Sequence, residues 1–197
     1  MIVTNAQPVG SLRDRKRLAA MKRVQQIAVA RFLADGFDQV TVEEIAAAAE
    51  VSAMSVYRWF GTKEALVLWD EFDPPILAEV AARLDASGPL PAVRDALVAV
   101  LDQVYDRERA LALDRARLIF GEPALAAASE RNGRQLRDAF VSLFVTRAGL
   151  DEFDARVVAA AAAALLTVAI EQWQHQNGER PLAELIDEAF SVLDAAR

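Results

Sequence analysis

Residues able to do chemistry are few in this 197-residue chain, and their spacing excludes most reactions. With no cysteine, the chain has no thiolate nucleophile, disulfide or thiolate metal site. The only histidine, His175, lies in Trp173-Gln-His-Gln176 with no second ligand at metal spacing, so it reads as a surface or interface residue. Asp151, Glu152 and Asp154 crowd together as the charged start of a helix, not as a separated general acid and base. No glycine-rich phosphate loop occurs. Neither catalytic residues nor a cofactor or metal site are expected, and an enzyme reading has no constellation to stand on. What remains is hydrogen-bonding and cationic chemistry. Ser52, Ala53, Met54 and Ser55 open a short predicted helix, with Tyr57 and Arg58 close behind. The first four are small or flexible enough to approach base edges, and the last two can reach a phosphate or a base.

The elements that must hold these residues are legible on either side. Thr41 with Glu44 three residues later makes a capping box, which starts a helix along the apolar stripe Val42, Ile45, Ala46 and Ala49. Ser52 can cap the next helix, whose inward positions are Val56 and Phe60 and whose stop is Gly61. Two short helices with a tight turn between them have the form of a helix-turn-helix, whose second helix enters the DNA major groove. An earlier helix runs to Asp35, with Val24, Ile27, Ala28 and Phe32 inward and Gly36 as its stop. Thr62 can cap a fourth helix with Lys63 in its first turn, where free amides and partial positive charge suit a phosphate.

Four motifs carry a family resemblance: Phe32-x-x-x-Gly36-Phe37, Thr41-Val-x-x-Ile45-Ala46, Val51-Ser-x-x-Ser-Val-Tyr-x-x-Phe60 and Lys63-Glu-Ala-Leu66. Over roughly residues 20–67 the chain resembles TetR-type transcriptional regulators. Glu50 departs from the pattern, because that family usually places glycine in the turn. The resemblance implies a DNA-binding head, a homodimer, and backbone contact by the lysine at position 63.

Charge agrees with a head of this kind once the chain is divided. The net charge is −7, yet residues 1–63 hold nine Lys/Arg against six Asp/Glu, and residues 64–197 hold thirteen against twenty-three. Within 11–23 six cations face one Asp, a local basic footprint. The expected DNA-contacting set is therefore Arg13, Arg15, Lys16, Arg17, Thr41, Ser52, Ala53, Met54, Ser55, Tyr57, Arg58, Thr62 and Lys63. Residues 1–12, of mixed polarity and without periodicity, read as a flexible arm. Residues 13–66 form the expected head and 67–197 a helical body for ligand binding and dimerisation.

In the body, Pro74-Pro75 is expected to break or kink the fourth helix after Phe72-Asp73, and Ser87 to Pro91 to form a loop. Further helices follow over about 76–86, 92–106, 108–120, 124–147, 150–176 and 182–195. Aromatic residues Trp69, Phe72, Tyr105, Phe120, Phe140 and Phe144 are candidates to line a ligand pocket, although residues of this kind are more often plain core. Arg115 falls on an apolar stripe, where it either pairs and snorkels or meets an anionic ligand. The segment Trp69-Asp-Glu-Phe-Asp73 and the helices beyond it resemble TetR-type regulators that sense acyl-CoA-like molecules. Ala160 to Ala164 offer a face with little bulk, and the last two helices are expected to pair with a twofold-related copy.

No uninterrupted apolar run reaches the about 18 residues of a membrane span, and the richest, Val157 to Ile170, reads as too short. The N-terminus has no basic-then-apolar leader, so a cytoplasmic protein is expected. The fold expected is all-α: a three-helix head, a larger helical body, and the fourth helix shared. The function expected is a ligand-responsive repressor on a palindromic DNA operator. Two alternatives stay open: a helical interaction or scaffold module, and a constitutive DNA-binding dimer with no ligand.

Overall fold

The computed structural model describes residues 11–70, 72–105 and 108–195, without the side chains of 102–105 and 194–195. The arm expected over 1–12 lies outside them except for Ser11 and Leu12. Those two belong to a helix: α1 spans Leu12–Asp35, and the Ser11 side chain caps it by accepting from the Asp14 amide. Every regular element among the described residues is helical. The chain packs as two units, each with its own interior.

The first unit takes the described part of Met1–Glu71 together with Arg117–Ala128. It holds α1, α2 (Val42–Ala48), α3 (Ala53–Phe60) and α4 (Ala65–Leu68). The interior of this head is built from Val24, Ala28 and Phe32 of α1, Ile45 and Ala46 of α2, Val56 and Phe60 of α3, and Leu66 and Val67 of α4. Burying a side chain such as Val56 or Phe60 stabilises the fold by about 1.5–3 kcal/mol. Leu118, Leu125 and Ala128, buried in the second stretch, belong to this unit too. The head is thus not continuous in sequence.

α4 is shorter than its sequence suggests. It ends at Leu68, and Trp69 turns to an extended conformation (φ −58°, ψ 126°) although no helix breaker stands there. Tertiary contacts replace the next helical turn. Gln25, the one buried polar residue among those described, donates from Nε2 to the Trp69 carbonyl at 2.9 Å and the Val67 carbonyl at 3.4 Å. The Trp69 ring meets Phe60 edge to face, with centroids 6.0 Å apart. The fourth helix is therefore not shared with the body. Pro74-Pro75 does not break it either: both prolines lie in the first turn of α5 (Asp73–Ser87), where a missing N–H costs nothing.

The second unit covers the described parts of Phe72–Ala116 and Ser129–Arg197. The loop expected over 87–91 contracts to Gly88, because Pro89 can open α6 (Pro89–Tyr105) at once. α7 (Arg109–Gly121) and α8 (Pro123–Arg147) follow, then α9 (Glu152–His175), capped by the Asp151 side chain, and α10 (Leu182–Ala195). One core joins Val80 and Leu84 of α5, Val93 and Leu97 of α6, Phe140 and Phe144 of α8, Trp173 of α9, and Ile186 and Phe190 of α10. Between α9 and α10, Gly178 has φ +65°, and a Cβ there would come within 3.0 Å of Leu113 Cδ1 and 3.2 Å of Trp173 Cε2. Only glycine fits that turn.

The alanines of α9 serve two purposes. Ala155, Ala159, Ala162 and Ala169 are buried in the core, while Ala160 and Ala164 face outward and Ala163 is half-buried. By length and composition this 24-residue helix could cross a membrane, which the sequence expectation denied. In this fold Ala155, Ala159, Ala162, Ala169 and Trp173 are part of the body's interior.

Candidate nucleic-acid interface

The capping box forms as the sequence predicts. Thr41 Oγ1 accepts from the Glu44 amide at 3.2 Å, and the Glu44 carboxylate accepts from the Thr41 amide at 2.8 Å. These bonds from the Thr41 backbone and hydroxyl hold the Glu44 carboxyl below the usual carboxylate range. α2 ends in a Schellman arrangement, with the Val51 amide donating to the Ala46 carbonyl at 3.0 Å and the Glu50 amide to Ala47 at 3.1 Å. Glu50 fills the left-handed position with φ 56°.

α3 then starts at Ser52, whose Oγ accepts from the Ser55 amide at 3.2 Å and lies 2.9 Å from Ser55 Oγ. Val56 and Phe60, four residues apart, pin its inner face. Met54, Tyr57 and Arg58, at i, i+3 and i+4, all point outward. Met54 is 74% exposed, high for a large apolar residue with nothing to cover it. Ala53 and Ser55 are half-buried beside this row. Ser55 is also engaged by Arg58, which donates from Nη2 to its Oγ at 3.3 Å.

Tyr57 donates to Glu43 Oε1 at 3.3 Å, which ties the outward face of α3 to α2. Burial and the Glu43 carboxylate together push the Tyr57 phenol above its ordinary range, so it remains a donor. Sequence reasoning passed over Glu43, since a fourteen-residue separation gives no helical or turn signal. It also passed over Gln25, although a glutamine between buried Val24 and Ala28 was a visible signal.

Thr62 and Lys63 bring the start of α4 to the same unit. Thr62 Oγ1 accepts from the Ala65 amide at 3.2 Å. The Lys63 ammonium sits 4.6 Å from the Phe37 ring centroid and 5.5 Å from that of Phe32, and donates to the Asp38 carbonyl at 3.5 Å. Arg13, Arg15, Lys16 and Arg17 are exposed in the first turns of α1. Asp14 among them is held below its ordinary range, chiefly by the Ser11 hydroxyl and further by Arg17 and Arg13.

The candidate pocket residues fall in both units. Trp69 and Phe120 belong to the first unit, and Phe120 is 38% exposed. Phe140 and Phe144 are buried in the body core, stacked with centroids 6.0 Å apart, and are packing residues there. Phe72 is half-buried against that core, and Arg115 is half-buried on α7. The side chain of Tyr105 lies outside the described residues.

Comparison with known proteins agrees with this geometry. Residues 27–68 match the family model described as bacterial regulatory proteins, tetR family, and residues 87–197 match the MftR C-terminal domain. The HTH-type transcriptional regulator TcmR of Streptomyces glaucescens is 30% identical, over 98% of this chain and 90% of its own. The putative mycofactocin biosynthesis transcriptional regulator MftR of Mycobacterium tuberculosis is 27% identical, over 92% of each chain. Among solved structures, FadR of Thermus thermophilus, a TetR-family repressor in complex with lauroyl-CoA, is 25% identical with a TM-score of 0.51 over 88% of this chain and 92% of that one. NalD of Pseudomonas aeruginosa shares the fold, with a TM-score of 0.59 over 89% of this chain and 96% of that one, at 17% identity. A capped helix-turn-helix and family matches over both the head and the body place this chain in the TetR family of DNA-binding transcriptional regulators.

Proposed function

We propose that the chain works as a homodimeric repressor, with the α3 helices of two copies reading the halves of a palindromic operator. A small molecule taken up by the body releases it. The observation that carries this reading is an apolar row left uncovered on α9. Phe153, Val157 and Val168 are 75%, 51% and 57% exposed, and Ala160 and Ala164 continue the same helical stripe. On α10, Val192 is 66% exposed. A chain with one recognition helix that also leaves such a stripe in water is suited to pair with its copy, which supplies the second helix at a fixed spacing. As a DNA-binding regulator it acts in the cytoplasm, and neither a catalytic role nor a cofactor is part of the proposal.

The effector reading is supported by the similarity to a repressor in complex with lauroyl-CoA. A ligand acts here only by binding one dimer geometry better than the other. Phe72 and Arg115, half-buried in the body, are the aromatic and cationic side chains we favour for contact with it. The test uses a duplex that the protein selects from a random-sequence library, with lauroyl-CoA as the probe. The expected outcome is a raised unfolding midpoint and weaker duplex binding. Sequence-selective binding that neither lauroyl-CoA nor a panel of small molecules relieves would favour a constitutive dimer. A protein that enriches no sequence would favour the interaction module.

A further inference from the structure

The turn between α2 and α3 has a strained residue at its centre. Glu50 carries a Cβ and yet stands at φ 56°, a conformation that crowds a side chain against its own backbone. Two Schellman bonds hold the amides of Glu50 and Val51, but they leave the Ala49 carbonyl, the last of α2, unpaired within the helix. A side chain from elsewhere takes it. Arg23, on α1 and twenty-six residues away, donates from Nη2 to the Ala49 carbonyl at 2.7 Å. The distance is short, as expected for a charged donor, and the cation stands at the negative end of the α2 dipole.

This contact fixes the plane of the Ala49–Glu50 peptide, the hinge about which α3 would tilt. We propose that Arg23 is a positioning residue for DNA recognition: by clamping the Ala49 carbonyl from α1 it holds Glu50 left-handed and sets the angle at which α3 presents Met54, Tyr57 and Arg58. The proposal rests on the reading of α3 as the base-reading helix. It separates Arg23 from Arg13, Arg15, Lys16 and Arg17, which are exposed in the first turns of α1.

Salt dependence distinguishes a positioning cation from a phosphate-binding one. A cation on a phosphate contributes about 0.9 to the log–log slope of affinity against salt, and a clamp inside the protein contributes nothing to it. The experiment compares the wild type with Arg23→Met, which keeps the length and loses the donor, and Arg23→Lys, which keeps the charge and loses the planar fork. The duplex is again the one the wild type selects from a random library. Three results are expected of Arg23→Met: faster amide exchange at Glu50 and Val51, binding weakened about tenfold, and a salt slope equal to that of the wild type. Adding Glu50→Gly should restore most of the affinity, because glycine holds the turn without a clamp. Arg23→Lys should fall several-fold at the same slope, which preserves the test if the methionine variant fails to fold. Undiminished affinity in both variants would overturn the proposal, and so would a slope lower by about 0.9, which would make Arg23 a phosphate contact. A wild-type protein that selects no sequence would overturn the reading of α3, and this proposal with it.

Discussion

Lys63 is held before any DNA arrives. Its ammonium rests on the Phe37 and Phe32 rings and on the Asp38 carbonyl, a cation–π site that contributes about 0.5–1 kcal/mol. A point charge fixed in this way can meet a phosphate without ordering a flexible side chain first, and it carries no preference among bases. Lys63→Ala is therefore expected to weaken binding equally for all duplexes and to lower the salt slope by about 0.9, as titrations at several salt concentrations would show. Met54 should behave differently. At 74% exposure it contributes little to folding, so substitutions there leave stability alone and change which bases are preferred, by about 1–3 kcal/mol per good contact. Binding-site selection with Met54→Gln and Met54→Arg is the check. If both return the wild-type sequence, Met54 reads nothing.

Two elements carry predictions of their own. The capping box of α2 depends on an ionised Glu44, whose folded pKa is lowered from 4.5 by the Thr41 hydrogen bonds. A lowered folded pKa gives stability that is present above the unfolded value and lost as pH falls through the folded one. Glu44→Gln should thus be less stable than the wild type near neutral pH, and the gap should close in acid when the two are unfolded side by side. A gap independent of pH would mean that the carboxylate charge plays no part. In α1, Arg13, Lys16 and Arg17 share one face at i, i+3 and i+4, whereas Arg15 lies on another. A straight duplex meets one face of a helix. Neutralising Arg13, Lys16 and Arg17 to Gln is expected to flatten the salt slope by up to about 0.9 each, and Arg15→Gln to change it little. Equal effects from all four would mean that they bind as a diffuse cloud and not as a face.

At the scale of the molecule, the proposed pairing of two heads rests on the outward row of α9. Ala164 is exposed in the single chain, so Ala164→Arg adds a charge without disturbing the core and should cost the protomer about 0.5 kcal/mol or less. Inside a dimer interface the same arginine would be buried unpaired or would force the helices apart, at several kcal/mol. The expected product is a folded monomer in sizing experiments whose duplex affinity is far below that of the wild type. Ala162, 1% exposed, is the control: an arginine there should unfold the body. An Ala164→Arg protein that stays dimeric with full duplex affinity would place the interface elsewhere.

What the sequence determined by itself was local. Capping by Thr41 and Ser52, stops at Gly36 and Gly61, and the inward stripe of Val56 and Phe60 all depend on neighbours within one or two turns, and all appear in the structure. The all-α class and the family followed from them, because helix periods and cap spacings are short-range signals. The tertiary structure decided what depends on residues far apart in the chain. Trp69 leaves the helix because Gln25, forty-four residues earlier, captures its carbonyl. Pro74-Pro75 opens a helix instead of breaking one, since α4 has already ended. Residues 117–128 join the head unit, and the aromatic residues proposed for a pocket fall in both units. The same holds for α3. Its outward residues were readable from spacing, but Glu43 on Tyr57 and Arg23 on Ala49 were not, because a hydrogen bond across elements leaves no period in a sequence.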